Sequence, residues 1–408
     1  MAIPHDAFDS TVPLLREGYE FVRRRCRRHG SDAFRTRVGL RPVVCASGRD
    51  AAAMFYAPDR FTRRRALPPT AVSLLQDYPS VQALDGAAHH ARKATWMRMA
   101  ASPEAVATLR GVIEQHWSEA LPTLSGRTVT LYDEAHRILV AASAEWAGTP
   151  LAGAELDARD QECKAMVQAT AKVGPGQLRA QLLRRRTEKW ARTYTARALA
   201  DPSSAPEGTP LRALAEHHEA DGRSLTAEEA GVEIINCVRA SGAVARWVAH
   251  AAVQLHEHPE WRERLRATPG RTHAFVQEVR RHAPFIPFMG GVAREAFAWR
   301  GEAFEPGDWV LLDIYGTNRD PAVWDRPDEF DPTRFEGHEP GPCDLVANGG
   351  GPYETTHRCP GERATITLAE AMVHGLVALD YALPDQDLSC DLARLPTLPN
   401  SGVVMEVA

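Results

Sequence analysis

The stretch Gly349-Gly350-Gly351-Pro352-Tyr353-Glu354-Thr355-Thr356-His357-Arg358-Cys359-Pro360-Gly361-Glu362 decides how this chain is read. It sets one cysteine in a glycine-rich loop, behind a histidine and an arginine and just ahead of a helical run. Backbone N–H groups aimed at a sulfur before a helix N-terminus lower the thiol pKa and shield the sulfur, as a thiolate ligand of a haem iron requires. Gly361 lets that backbone come close. For an isolated Cys-Pro-Gly a buried structural cysteine after a turn is the commoner outcome, so the weight falls on the rest of the chain.

Working outward, no Pro/Gly/Ser-rich linker divides the 408 residues, and apolar periodicity runs through nearly all of them. A single, mainly α domain over 1–408 is the expectation. With 44% hydrophobic and 25% charged residues the chain has the composition of a globular protein with ample core, and a net charge of -5 argues against a nucleic-acid partner. The seven cysteines (26, 45, 163, 237, 343, 359 and 390) are scattered without Cys-x-x-Cys spacing, which suggests neither a disulfide framework nor a zinc site and fits a reducing cytoplasm. Five arginines between Arg23 and Arg28 read as a solvated helix face rather than a leader. No run approaches the roughly 18 to 20 apolar residues of a membrane span, so no membrane partner is expected.

Arg35 to Ala46 alternates and is rich in β-branched residues, which predicts a small hairpin; Glu295 to Asp313 predicts further strand pieces around a turn at Glu305-Pro306-Gly307-Asp308. Elsewhere the pattern is helical. Thr226 and Glu229 form a capping box that opens a helix predicted to run to about His256, before Pro259. A helix of roughly 30 residues would span about 45 Å and cross the whole domain. A second helix is expected over about His273 to His282. Its Glu278 and Arg281 are i,i+3 neighbours, and Asp331-Pro332-Thr333-Arg334-Phe335 further on makes Arg334 the third member of a buried Glu-Arg-Arg network.

The Glu-x-x-Arg helix, Asn318-Arg319-Asp320-Pro321, Asp-Pro-x-Arg-Phe and the Cys-x-Gly-Glu loop, in that order, resemble a cytochrome P450. The chain is more closely similar to the bacterial fatty-acid peroxygenase branch, whose members use hydrogen peroxide to hydroxylate fatty acids at the α or β carbon and include decarboxylating relatives. That resemblance runs through Leu14-Leu15-Arg16-Glu17-Gly18-Tyr19, Asp59-Arg60-Phe61, Ala66-Leu67-Pro68, Gln82-Ala83-Leu84-Asp85-Gly86, Trp146-Ala147-Gly148, Val173-Gly174-Pro175 and Gly349-Gly350-Gly351. It implies the P450 fold, a triangular helical prism with a minor β region, and haem b held by an axial thiolate.

Under the resemblance Cys359 is the iron ligand, and Arg63, His89, Lys93, His357 and Arg358 match basic positions that grip the haem propionates. Each, taken alone, is also readable as a solvated charge. In the long helix, Arg239 followed by Ala240 stands where a typical P450 has an acid followed by an alcohol that relay protons to iron-bound oxygen. An arginine in a mostly apolar helix is costly unless an anion meets it. In the peroxygenases the matching arginine holds the substrate carboxylate as a bidentate pair, and that carboxylate serves as the acid–base group. The alternative is an outward arginine paired with a glutamate one turn away.

Gln82 matches a distal position where the family carries glutamine, which the resemblance associates with hydroxylation, or histidine, associated with decarboxylation. The chain departs from the pattern at Ala240, normally proline, and at Thr170 and Ala171, normally an aromatic and a glycine that line the acyl channel. Losing that aromatic removes roughly 1.5 to 3 kcal/mol of apolar burial, and Met289-Gly290 is small as well. A shorter, bulkier or aromatic acid is then as consistent as a long-chain one. The partners expected are a small carboxylic acid and hydrogen peroxide, with no redox partner required. Two alternatives stay open at this point: a redox-partner-dependent monooxygenase or oxidative decarboxylase of a non-fatty acid, using Ser241 or water, and a haem-binding protein without catalysis.

Overall fold

A computed structural model describes residues 3–75, 77, 79–172 and 174–408, so Val173 of the sequence pattern lies outside the described residues. The hairpin forms as expected: Ala33–Val38 pairs antiparallel with Arg41–Ala46 in the register Phe34 to Cys45. It is the outer part of a five-stranded sheet that continues with Trp309–Asp313, Phe288–Ala293 and Phe61–Thr62. Val44 lies parallel to Val310, while Val310 pairs antiparallel with Gly291. The Phe288–Ala293 strand escaped the sequence reading because its Gly290-Gly291 pair reads as loop. A Cβ on Gly290 would lie 2.2 Å from the Ala66 carbonyl oxygen, so close backbone approach demands glycine there. Phe297–Trp299 and Glu302–Phe304 form a short ribbon within the expected strand region.

The rest is mainly helical and encloses a large apolar core containing Leu109, Ile113, Leu139, Ile234, Ile235, Trp247, Phe275 and Leu368. Thr226 accepts from the Glu229 N–H while the Glu229 carboxylate accepts from the Thr226 N–H, which closes the capping box. One correction concerns the helix it opens. Instead of one element to about His256 there are two, Ala227–Ala243 and Ala245–Glu257, separated at Val244. The Val244 N–H bonds back to the Ser241 carbonyl at 3.0 Å, a tighter turn than the helix on either side. Ser241-Gly242 explains it: a Cβ on Gly242 would meet Val140 at 2.8 Å and His136 Nε2 at 2.9 Å, and a Ser/Gly pair is a common seat of helix breaks.

The second expected helix forms over Thr272–His282. A further helix, Glu362–Ala378, begins three residues after Cys359 and packs against both Thr272–His282 and Ala245–Glu257. The cysteine loop is thereby set beside the helix that follows the arginine-bearing one. Among the described residues no helix is long and apolar enough to cross a membrane, and all seven cysteines are free thiols.

Candidate active site

The cysteine loop is built from its glycines outward. Gly349 and Gly351 have φ of 92° and 79°, values that L side chains rarely adopt, and Cβ atoms there would press on Arg358 and on Tyr56. The Cys359 N–H donates to the Asn348 carbonyl at 2.8 Å, while a Cβ on Gly361 would make only an ordinary contact, 3.8 Å from Sγ, so the expected close backbone approach does not by itself demand glycine there. Burial raises the Cys359 thiol above its ordinary value; the Gly361 N–H, Lys93 and Asn348 pull the other way without overcoming it. Burial thus works against the thiolate while the loop donors work for it, and a bound iron would complete the deprotonation, since a coordinating thiol loses its proton.

Two of the expected propionate-binding residues also bond to the cysteine loop itself. Lys93, 1% exposed, donates to the carbonyl oxygens of Thr356, at 2.8 Å, and Arg358, so it braces the cysteine loop. Arg358 pairs with Glu362 at 2.6 Å, and Glu362 also takes Arg280 at 2.5 Å. Arg280 in turn reaches Asn348, whose carbonyl receives Cys359. This clamp between loop and Thr272–His282 helix was missed in the sequence, where Arg280 looked like the neighbour of a motif rather than part of one.

Arg63, His89 and His357 do come together. The two imidazoles stack with centroids 4.2 Å apart, and Arg63 lies over Phe55 and lines the same pocket, donating to the Gly290 carbonyl at 3.2 Å. Burial pushes Arg63 down to about 10, and burial together with neighbouring cations pushes His89 to about 4 and holds His357 well below its ordinary value. Among the described residues no carboxylate lies within 4 Å of any of the three. Asp59, at the same pocket, is paired with Arg294. A basic cluster with no acid of its own beside a glycine-cradled cysteine fits the propionates and axial ligand of a haem.

The distal side is carried by the long helix. Residues 230–239 are buried, Ala240 is exposed and Ser241 half-buried, so the helix meets open space at 240–241. Arg239 is 3% exposed. Its Nη1 donates to the Leu74 carbonyl and its Nη2 to Asn236 Oδ1, both at 2.7 Å. Among the described residues no carboxylate lies within 4 Å of it. The outward arginine paired with a glutamate is therefore not what forms. Burial, aided by nearby Arg184 and only partly offset by Cys163 and Asp77, lowers its pKa: among the described residues the cation has no carboxylate in contact with it.

Gln82 sits half-buried on the Val81–Ala83 turn, and its side chain makes no hydrogen bond to the described residues. Thr170, half-buried just past the Gly153–Gln168 helix, gives its hydroxyl to the Met166 and Val167 carbonyls. Met289 packs against the core around Phe55, and Gly290 serves the approach of Ala66 and Arg63. Glu278 and Arg281 are both fully buried and joined by two bonds of 2.6 and 2.7 Å, with Arg334 Nε 3.6 Å from Glu278.

The cytochrome P450 family profile matches residues 255–375. Cytochrome P450 105C1 of Streptomyces sp. is 34% identical over 179 residues, and the match spans 42% of each chain, so less than half of that relative's length is covered. Similarity to solved structures extends over the whole chain. A variant of cytochrome P450SP alpha (CYP152B1) is 37% identical, with 98% of this chain and 99% of that one covered and a TM-score of 0.94; the same enzyme has been solved with (R)-ibuprofen. Cytochrome P450EX alpha (CYP152N1), solved with myristic acid, is 33% identical with 100% and 99% covered, again at TM-score 0.94. The chain belongs to the cytochrome P450 family, and its full-length kinship is with the CYP152 peroxygenases. Its cofactor is accordingly haem, with an axial thiolate.

Proposed function

We propose that this protein hydroxylates a carboxylic acid with hydrogen peroxide as the oxidant. The carrying observation is Arg239: a buried guanidinium beside the open face of the long helix, held by two neutral acceptors and, among the described residues, no carboxylate within 4 Å. Haem bound through Cys359 supplies the oxidising centre. Arg63, His89 and His357 take its propionates, while Lys93, Arg358 and Arg280 hold the loop that presents the sulfur.

The substrate carboxylate pairs with Arg239, whose planar fork suits a two-oxygen anion. Held there, it accepts a proton from hydrogen peroxide and returns it to the departing oxygen, doing the work of the acid–alcohol pair that Arg239-Ala240 lacks. One oxygen enters a C–H bond and the other leaves as water, so peroxide balances the two-electron oxidation without an external reductant. Gln82 rather than histidine supports hydroxylation over decarboxylation.

The substrate is a fatty acid or a compact acid of similar carboxylate chemistry. Support for this range comes from the myristic acid and (R)-ibuprofen complexes of two relatives and from Thr170 in place of an aromatic. The test is turnover of a panel of fatty and aryl-propionic acids with hydrogen peroxide alone, together with the Soret shift each acid produces. Product without reductase is expected, and Arg239→Ala is expected to retain haem and lose turnover. Turnover only with a reductase and ferredoxin, or full peroxide activity in Arg239→Ala, would overturn the reading.

A further inference from the structure

We propose that Glu233 and Asn236 are positioning residues of the carboxylate site, holding Arg239 and the Gln82 turn in one fixed relation; this rests on Arg239 being the carboxylate-binding group. The three residues recur at i, i+3 and i+6 on one face of the Ala227–Ala243 helix. All are buried: Glu233 is 0%, Asn236 2% and Arg239 3% exposed.

Glu233 receives four donors. Oε1 accepts from Arg92 Nη1 at 2.7 Å and from the Val81 N–H at 2.8 Å, and Oε2 from Trp96 Nε1 at 3.1 Å and Asn236 Nδ2 at 3.4 Å. Val81 is the first residue of the short turn that carries Gln82. One carboxylate therefore anchors the turn bearing Gln82 and, through the Asn236 amide, the guanidinium of Arg239.

The direction of the Asn236 amide follows from chemistry. A carboxylate only accepts and a guanidinium only donates, so an amide between them must turn its NH2 to Glu233 and its oxygen to Arg239. This relay fixes Arg239 without discharging it. Glu233 is balanced by Arg92, which also binds Glu219, and what reaches Arg239 is a neutral oxygen. Two of the five guanidinium N–H groups are used by the described residues, which leave three for a substrate. Were the acid to touch Arg239 directly, an incoming carboxylate would have to displace it.

The test uses the haem-loaded enzyme with myristate and (R)-ibuprofen as probes. Asn236→Ala is expected to weaken both, read from the Soret shift, by about tenfold, to lower kcat per haem with hydrogen peroxide, and to broaden the distribution of hydroxylated positions. Asn236→Asp, which offers Arg239 an internal carboxylate, is expected to lose the acid-induced shift while keeping its haem. A purely structural role would lower the melting temperature and haem content but leave dissociation constants and products per haem unchanged, and that outcome overturns the proposal. Should Asn236→Ala fail to take up haem, Asn236→Gln displaces the same amide by one methylene and is read by the same criteria. Arg239→Ala separates the two levels. If it loses the acids while the Asn236 variants keep wild-type binding, only the positioning role falls; if Arg239→Ala also binds normally, the carboxylate reading falls and takes this one with it.

Discussion

Arg281 and Arg239 are both buried arginines on helices of the same core, and the fold treats them in opposite ways. Arg281 has every N–H satisfied. It makes two bonds to the Glu278 carboxylate, two from Nη1 to the Asn318 and Pro327 carbonyls, and one from Nη2 to the Glu329 carbonyl. Arg239 has two neutral acceptors and no acid within 4 Å among the described residues. The first arrangement ties the Thr272–His282 helix to the segment around 318–334; the second leaves charge for a ligand. Lack of an acid is not sufficient by itself. Arg246 also has none within 4 Å among the described residues, but it packs under the Tyr132 ring and donates to the Thr397 carbonyl. What separates Arg239 is its place beside the open face at Ala240 and Ser241.

The largest effect is expected where both regions depend on the cofactor: Cys359→Ala should abolish the thiolate-type Soret band of the reduced carbon monoxide complex, and an unaltered band would remove the haem assignment. Next comes the neutralised arginine. Glu278→Ala strands a buried cation and is expected to cost about 3 to 5 kcal/mol in urea unfolding; a loss below about 1 kcal/mol would mean that the ion pair does not hold these segments. Arg239→Leu should show the reverse. Its stability is expected to change by no more than about 1 kcal/mol, since no ion pair is broken, while carboxylate binding disappears from the Soret titration. A destabilisation matching that of Glu278→Ala would erase the contrast between the two sites.

A smaller, pH-dependent effect extends the comparison to an acid. Asp313 is fully buried, accepts from the Gly316 N–H and Ser47 hydroxyl, and has no cation within 4 Å among the described residues. Burial pushes its carboxyl from 3.8 up to about 7. The folded chain thus keeps a proton that the unfolded chain releases between these values, so stability from this group falls as pH rises from about 4 to about 7, by up to about 4 kcal/mol. Asp313→Asn should flatten that part of the stability–pH curve; an unchanged slope would show that the group titrates normally.

Much of this was legible in the chain. The cysteine loop, the Glu278–Arg281–Arg334 set, the hairpin and the capping box are local patterns, and local patterns carry their own physics of spacing, turn residues and caps. The break at Val244 was not legible, because it depends on His136 and Val140 pressing on Gly242 from another helix. Nor were the protein partners of Lys93 and Arg358, loop carbonyls and Glu362, which only the fold brings into reach. Glu233 and Asn236 stand at helical spacing from Arg239 on the same predicted helix. The missing signal was their partners, Arg92, Trp96 and the Val81 N–H, which come from distant parts of the chain.

By itself the sequence determined the kind of chemistry. Cys359 in its loop and an arginine where a proton-relay pair is usual are matters of residue type and order, and no packing changes them. The tertiary structure decided which charges are neutralised and which are left for a ligand, because in a low-dielectric interior that depends on whether an acid from elsewhere lies within a few ångströms. Arg281 meets its acid one helical turn away, whereas Arg239 meets a carbonyl and an amide brought to it by the fold.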